Sequence, residues 1–277
     1  MTSSPALNVD EINRTLATTS LGRSLHLHDQ LPSTNKEAMT LAQNGAPHGT
    51  VVIAECQSAG RGRQGRTWFS PPGVNLYCSV LIRGYGTRLA LSEWLSWVPL
   101  VSALAVAESV FQTTSIPLSL KWPNDLLLNT RKVGGILCES LLTTNPHPAI
   151  VIGIGLNVNV TQTSLPDELQ SIATSLTEAT QAPIDRNLLL AQLLLELERC
   201  LDELRSNGAS RLCQAYTTRC MTLGRLVRAI FPDGKEVTGT AESLSRDGAL
   251  QLRPRSLSQR VAPLMEIRAA DILHLRE

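Results

Sequence analysis

The residues best suited to chemistry lie in Gly60-Arg61-Gly62-Arg63-Gln64-Gly65-Arg66, followed by Thr67-Trp68-Phe69-Ser70-Pro71. Three glycines let backbone N–H groups come close to an anion. Three arginines add charge-assisted, bidentate contacts to phosphate oxygens. Trp68 offers a flat apolar wall, so the segment suits a small molecule that carries a phosphate. The glycines also predict a segment that closes over its ligand. Arg-Gly stretches occur in disordered RNA-binding tails as well. Here, however, the segment lies between two apolar runs, Thr50–Glu55 and Asn75–Ile82, in a chain with a formal net charge of only +1.

Three further segments could face a ligand. Lys121-Trp122-Pro123-Asn124-Asp125 displays Lys, Asn and Asp at the end of a strand; the plainer reading is a turn in which Asn and Asp satisfy local backbone. Lys132-Val133-Gly134-Gly135-Ile136-Leu137 joins a lysine to glycines that admit a close neighbour. Gly153-Ile154-Gly155-Leu156-Asn157-Val158-Asn159 interrupts an apolar strand with glycine and asparagine. Bulges and turns account equally well for the last two. A Walker-type phosphate loop, a dinucleotide-binding GxGxxG, a GxSxG elbow and a metalloprotease histidine motif are all missing. His26, His28, His48, His147 and His274 have no catalytic or metal-ligand spacing and read as structural or exposed.

The elements that must position these residues follow from pattern. Thr34 and Glu37 have capping-box spacing, predicting Thr34 as N-cap of a helix that stops near Asn44-Gly45. Strands are predicted at Thr50–Glu55, Asn75–Ile82, Leu118–Trp122, Leu126–Leu128, Val133–Leu141 and Ala149–Asn157, with a turn over Asn129–Lys132. His26 and His28 alternate on another strand. A helix is predicted over Leu89–Gln112. Its most apolar window, Trp94–Ala107, contains Pro99 and is shorter than the ~20 residues of a membrane span, so it reads as a buried helix. Asp185 caps a long helix to Leu204, and a shorter helix follows through Cys220. The result is an α+β fold with a mostly antiparallel or mixed sheet and helices on one face. From Gly224 onward, short β-like runs (Arg225–Ile230, Glu236–Ser243, Ala249–Arg253) are split by Pro232-Asp233-Gly234 and Asp247-Gly248, which suits a small barrel. The expected organisation is an arm over 1–24, a main domain over 25–222 and a small domain over 223–277.

The 277-residue length and 43% hydrophobic content are ordinary for a globular chain of this organisation. No global charge draws it to nucleic acid or a membrane. Only four of the 25 basic residues are lysines (Lys36, Lys121, Lys132, Lys235), so a lysine inside a motif carries weight. The six cysteines have neither zinc nor disulfide spacing, and no signal peptide is visible. Both features suit reduced thiols in the cytoplasm.

Taken in order, these segments resemble the biotin protein ligase family. The resemblance rests on Ser33-Thr34-Asn35, Gln57 with the Gly60–Arg66 loop and its Trp68-Phe69-Ser70-Pro71 tail, Leu76-Tyr77, Lys121–Asp125, Lys132–Leu137 and Gly153–Asn159. Ala173-Thr174-Ser175-Leu176 and the texture of Gly224–Arg253 also fit, so that residues 25–275 are covered. Lipoate ligases share a related fold, but the Arg-Gly loop resembles the biotin branch.

The resemblance implies a class II synthetase-like catalytic fold with a C-terminal SH3-like β-barrel. It also implies an enzyme that adenylates biotin with Mg²⁺-ATP and transfers biotin to a lysine of a biotin carboxyl carrier protein. By the same resemblance, Ser33, Thr34, Asn35, Gln57, Arg61, Gly62, Arg63, Trp68 and Lys132 line the biotin site. Arg63, Arg66, Lys121, Asn124 and Asn157 serve ATP, Asp125 is the Mg²⁺ carboxylate, and Lys121, Lys132 and Arg63 carry catalysis. Lys121 is a candidate base for the acceptor amine if its pKa is lowered. Some members of the family begin with an operator-binding winged-helix domain. About 24 residues precede the matching region here, so a monofunctional ligase without a DNA partner is expected. A sheet edge could pair two copies as a homodimer. The rival readings are a lipoate or octanoate ligase, and a nucleic-acid-binding protein using the Arg-Gly loop.

Overall fold

The structure, a computed structural model, describes residues 5–83, 91–141, 149–255 and 262–275. His147, together with Leu89 and Ala90 at the predicted start of the long helix, lies outside the described residues. The larger sheet has seven strands: β1 (Ser24–Leu31), β2 (Thr50–Gln57), β3 (Leu76–Ile82), β4 (Ser119–Lys121), β5 (Asp125–Leu128), β6 (Arg131–Leu141) and β7 (Ala149–Leu156). Their order is β1-β2-β3-β7-β6-β5-β4, with β1 parallel to β2 and every other pair antiparallel. The expected mixed sheet is therefore present.

Alternation along the central strands explains the layers. In β3, Leu76, Cys78, Val80 and Ile82 enter the main core. That core also holds α3 (Leu91–Thr114), which follows α1 (Val9–Thr15) and α2 (Thr34–Gln43) in the chain. Two single-turn helices, α4 (Asp167–Gln170) and α5 (Thr177–Thr180), precede α6 (Arg186–Asn207) and α7 (Ser210–Arg219). The helix layer expected on one face consists of α3 and α6. The short α2 lies on the opposite face, where Ala38 and Ala42 meet Val52, Leu81 and Val151. Strands covered on both faces read as continuous apolar runs instead of alternating ones.

Two local expectations are corrected. α2 is N-capped by the backbone of Ser33 with no side-chain capping bond. Thr34 forms no capping box because its N–H and hydroxyl both turn to Gln57 Oε1, at 2.9 and 3.2 Å. The β5–β6 turn is Asn129-Thr130 alone, with Asn129 at φ 56°, so Arg131 and Lys132 belong to the strand. The long helix is present as expected: α3 runs through Pro99 for 24 residues. By length and composition it could cross a membrane, yet most of it is buried inside the protein.

The N-terminal residues pack onto α6. The Arg186 side chain is fully buried and donates to Glu55 Oε2 and Oε1 at 2.5 and 3.1 Å and to Asn75 O at 3.0 Å. Glu55 Oε1 also accepts from Leu7 N at 2.7 Å. Further along α6, Glu198 accepts from the N–H groups of Thr19, Ser20 and Leu21 and from the Ser20 hydroxyl.

The C-terminal segment forms a separate antiparallel sheet: β8 (Leu226–Ile230), β9 (Glu236–Leu244), β10 (Leu250–Pro254), β11 (Met265–Ile267) and β12 (Asp271–His274). Its order is β11-β10-β9-β8-β12. Three of these five strands follow from the sequence pattern, whereas β11 and β12 are too short to show a period. Two indoles tie the β9–β10 turn of this sheet to α3 and to the end of β4: Trp97 Nε1 donates to Arg246 O at 3.0 Å, and Trp122 Nε1 to Gly248 O at 3.1 Å. Trp122 N also donates to Thr222 Oγ1 at 3.0 Å.

Candidate active site

The four motif segments converge on one cleft of about 750 Å³. It lies on the α2 side of the larger sheet and is closed at one end by β12. Every residue expected in a site lines it: Ser33, Thr34, Asn35, Gln57, Arg61, Gly62, Arg63, Arg66, Trp68, Lys121, Asn124, Asp125, Lys132 and Asn157. Sequence separation of more than 120 residues between the first and last of these is removed by the sheet order, which sets β2 and β3 beside β7 and β6.

The Arg-Gly segment is a tight hairpin. Gly62 N donates to Arg66 O at 2.7 Å, Trp68 N to Gly60 O at 2.9 Å, and the chain turns at Gln64 and Gly65 with φ 55° and 74°. Gly60 admits no side chain, because a β-carbon there would lie 2.5 Å from Trp68 O and 2.6 Å from Ser70 Oγ. Each arginine has a protein acceptor. Arg61 Nη2 donates to Glu139 Oε1 at 2.7 Å, Arg63 Nη1 to Asn124 Oδ1 at 3.0 Å, and Arg66 to the Asp271 carboxylate. Burial draws the Arg63 guanidinium below its ordinary value, against the opposing pull of Asp271 and Asp125. A folded hairpin with arginines held on carboxylates is not a disordered nucleic-acid tail.

At one end of the cleft, neutral polar groups are fixed by one another. Asn35 Oδ1 accepts from Ser79 Oγ at 2.6 Å, and its Nδ2 donates to Leu137 O at 3.1 Å and Glu139 Oε2 at 2.8 Å. Ser79 Oγ is also 2.8 Å from Thr34 Oγ1. Gln57 Nε2 donates to Ser70 Oγ at 3.0 Å. Gly153 is the partner of Ser79 in the sheet, and a β-carbon there would collide with the Asn35 carboxamide. The glycine is therefore a space for Asn35 and not a bulge.

At the other end, charges gather. Lys132 Nζ lies 2.5 Å from Asp125 Oδ1, and Lys121 Nζ lies 3.9 Å from Asp125 Oδ2. Burial lowers the Lys121 pKa, Asp125 opposes the shift, and the neighbouring Lys132 charge reinforces it. Between the two ends the Trp68 ring sits over the sheet, 5.5 Å from Lys132 Nζ. Asn157 is buried and donates to Thr174 O at 3.0 Å.

Sequence reasoning missed Ser79, Glu139 and the β12 residues Asp271–His274, several of which line the cleft or hold residues that do. Ser79 is a polar position in an apolar strand, which is a signal that could have been read. His274, expected to be structural or exposed, borders the cleft 3.2 Å from Thr222 Oγ1. Burial, with the Lys121 and Arg225 charges, lowers its pKa to about 4, so it is neutral at pH 7. Among the described residues no three His, Cys, Asp or Glu side chains form a metal cluster, and all six cysteines are free thiols.

A polar pocket beside a lysine–arginine pocket suits a polar small molecule held next to a phosphate-bearing one. Residues 27–157 match the model of the biotin/lipoate A/B protein ligase family. The chain is 36% identical over 258 residues to the biotin–[acetyl-CoA-carboxylase] ligase of Mycobacterium tuberculosis, covering 92% of this chain and 90% of that one. It is 35% identical over 246 residues to the bifunctional ligase/repressor BirA of Bacillus subtilis, covering 89% of this chain and 74% of that protein. Among solved structures, the biotin protein ligase from Aquifex aeolicus in complex with biotin and ATP superposes with a TM-score of 0.75 at 29% identity, over 92% of this chain and 100% of the other. The chain belongs to the biotin protein ligase family and is an enzyme of the ligase class.

Proposed function

We propose that the cleft joins biotin to ATP and then passes the biotinyl group to a lysine of a biotin carboxyl carrier protein. A biotin carboxylate oxygen attacks the α-phosphorus of ATP, pyrophosphate leaves, and a mixed anhydride forms. The carrier's amine then attacks the acyl carbon, loses a proton and expels AMP. No nucleophilic side chain is required, so the protein's task is positioning and charge neutralisation.

The observation that carries this reading is the division of one cleft into a neutral polar end and a cationic end, with Trp68 between them. A ureido ring has both donors and acceptors, which matches Ser33, Thr34, Gln57 and the Arg61–Gly62 backbone. Asn35 belongs to the same hydrogen-bonded set, its amide oxygen and nitrogen held by Ser79, Leu137 and Glu139. Trp68 covers the apolar part of biotin. Lys132 meets the carboxylate and exchanges Asp125 for it. Arg63 and Arg66 hold phosphates, Lys121 offsets charge at the α-phosphate, and Asn124 and Asn157 bind the nucleotide. The downward direction of the Lys121 shift, caused by burial, supports its reading as the group that takes the proton of the acceptor amine in the second step. Asp125 would be the protein carboxylate for a Mg²⁺ ion accompanying ATP, and the ion would neutralise phosphate charge.

The lipoate alternative lacks a use for this polar end, since a dithiolane or alkyl chain needs no ureido partners. The free thiols support a cytoplasmic location. The edge position of β1 supports pairing of two copies into a homodimer; sedimentation that finds only monomer at assay concentrations removes that part. Incubation with biotin, MgATP and an isolated carrier domain tests the full reaction. The expected product is the carrier biotinylated on one lysine, and an unmodified carrier in the presence of an active positive-control ligase overturns the transfer step.

A further inference from the structure

We propose that Asp271 is a positioning residue of the adenylation site: a carboxylate on the C-terminal sheet that occupies Arg66 and borders Arg63 until nucleotide phosphates take these arginines over. The proposal rests on the adenylation reading above and adds to it a step of anion exchange.

Asp271 opens β12, where its backbone pairs with Ile230 of β8. Its side chain is only 12% exposed, and its described partners are the two arginines of a hairpin some 200 residues earlier in the chain. Arg66 donates to the carboxylate directly. Arg63 Nη1 lies 4.0 Å from Asp271 Oδ1, and Arg63 Nη2 donates to the neighbouring Ala270 O at 3.4 Å. Arg66 is otherwise 68% exposed, and Asp271 is its one acceptor among the described residues. The hairpin is thus tied at its far end to a different sheet from the one that carries it.

The tie has a fixed base. The Trp97 and Trp122 indoles bond to the turn at Arg246 and Gly248, and Thr222 bridges Trp122 N and His274. These contacts brace the sheet that carries β12 apart from the hairpin that carries the arginines. Guanidinium presents the same planar fork to a carboxylate and to a phosphate, so the two anions compete for one donor surface. A carboxylate left beside a triphosphate without its cation is repelled by it. The ligand-free site thus has its arginines aimed by an internal anion, and nucleotide entry must displace that anion. Arg61 is outside this exchange because its partner, Glu139, belongs to β6 of the larger sheet.

The test uses the full chain as wild type, Asp271→Asn, Asp271→Glu, Arg66→Ala and the Asp271→Asn/Arg66→Ala pair. Two quantities are read: trypsin cleavage after residues 63 and 66 without ligand, and KM for MgATP against kcat in biotin-dependent pyrophosphate release. Asp271→Asn is expected to speed loop cleavage and to lower KM for MgATP, each by about two- to five-fold, the scale of one partly exposed ion pair. The change is larger in KM than in kcat, Asp271→Glu stays close to wild type, and the effect of Asp271→Asn on KM is smaller once Arg66 is alanine, because only Arg63 then remains beside the carboxylate. A KM that is unchanged or raised in Asp271→Asn, or one that falls equally in the Arg66→Ala background, overturns the proposal. Wild type that releases no pyrophosphate with biotin overturns the adenylation reading instead, while the cleavage rates still report on the Arg66–Asp271 tie.

Discussion

The Trp68 indole lies directly on Gly155: a β-carbon at position 155 would fall 2.7 Å from both Nε1 and Cε2 of the ring. Gly155 pairs with Gly135 across β6 and β7, and a β-carbon at 135 would also touch the ring, at 3.7 Å. Two glycines in adjacent strands thus form a flat seat for one aromatic wall of the cleft, and that wall joins the polar end to Lys132.

Gly155→Ala is expected to tilt the indole without unfolding the sheet. Overpacking of this kind costs about 1–3 kcal/mol, and most of it is expressed here as a displaced side chain on a surface hairpin. Kd for biotin should rise about 10-fold while Tm changes little. Isothermal titration with biotin and a thermal melt of the same sample measure both. Unchanged biotin affinity would mean that Trp68 is not part of the biotin wall.

Much of this site is legible in the sequence, and the remainder is hidden for identifiable reasons. The Gly60–Arg66, Lys121–Asp125, Lys132–Leu137 and Gly153–Asn159 segments each announce themselves by residue type, and all four reach the cleft. Their glycines, however, look like generic bulges until the partner that fills each space is known: Asn35 for Gly153 and Trp68 for Gly155. Thr34 has the spacing of a helix cap, and only the tertiary fold reveals that Gln57 claims its hydroxyl. Asp271 and His274 sit on a four-residue strand, too short for its period to be recognised. The position of α2 opposite the main helix layer is likewise a property of the sheet's two faces, which single-strand patterns do not assign to particular helices.

Arg186→Met should destabilise the protein by about 3–5 kcal/mol, because it leaves the Glu55 carboxylate without its buried cation. The loss also frees the N-terminal residues, since Leu7 N shares Glu55 with Arg186. Denaturant unfolding gives the stability, and amide exchange at residues 6–12 gives the local effect. The paired change Glu55→Gln/Arg186→Met should recover part of the loss, whereas strict additivity would place the cost elsewhere than in the ion pair.

Acid stability should depend on Glu198. Burial alone would raise its pKa, but the Ser20 hydroxyl and the Thr19, Leu21 and Ser20 N–H groups outweigh that and hold it at about 2, below the ordinary 4.5. A depressed carboxylate pKa stabilises the fold above the unfolded value and loses that contribution as pH falls through the folded one. The window is therefore from about pH 4.5 down to about pH 2. Allowing for solvent screening, the contribution is about 1–2 kcal/mol. Glu198→Gln should be less stable than wild type by that amount at pH 7, and the two should converge near pH 2. A constant difference across the range would contradict the assignment.

The proposed role of Lys132, aligning a biotin carboxylate for attack on MgATP, is tested by pyrophosphate release. The measurement compares biotin, lipoate and no acid in wild type, and biotin in Lys132→Ala with its fold checked by thermal melt. The expected result is release that requires biotin, is weak or absent with lipoate, and falls by about 10²-fold or more in Lys132→Ala. Release driven by lipoate and not by biotin, or full biotin-dependent activity in a folded Lys132→Ala protein, would contradict it.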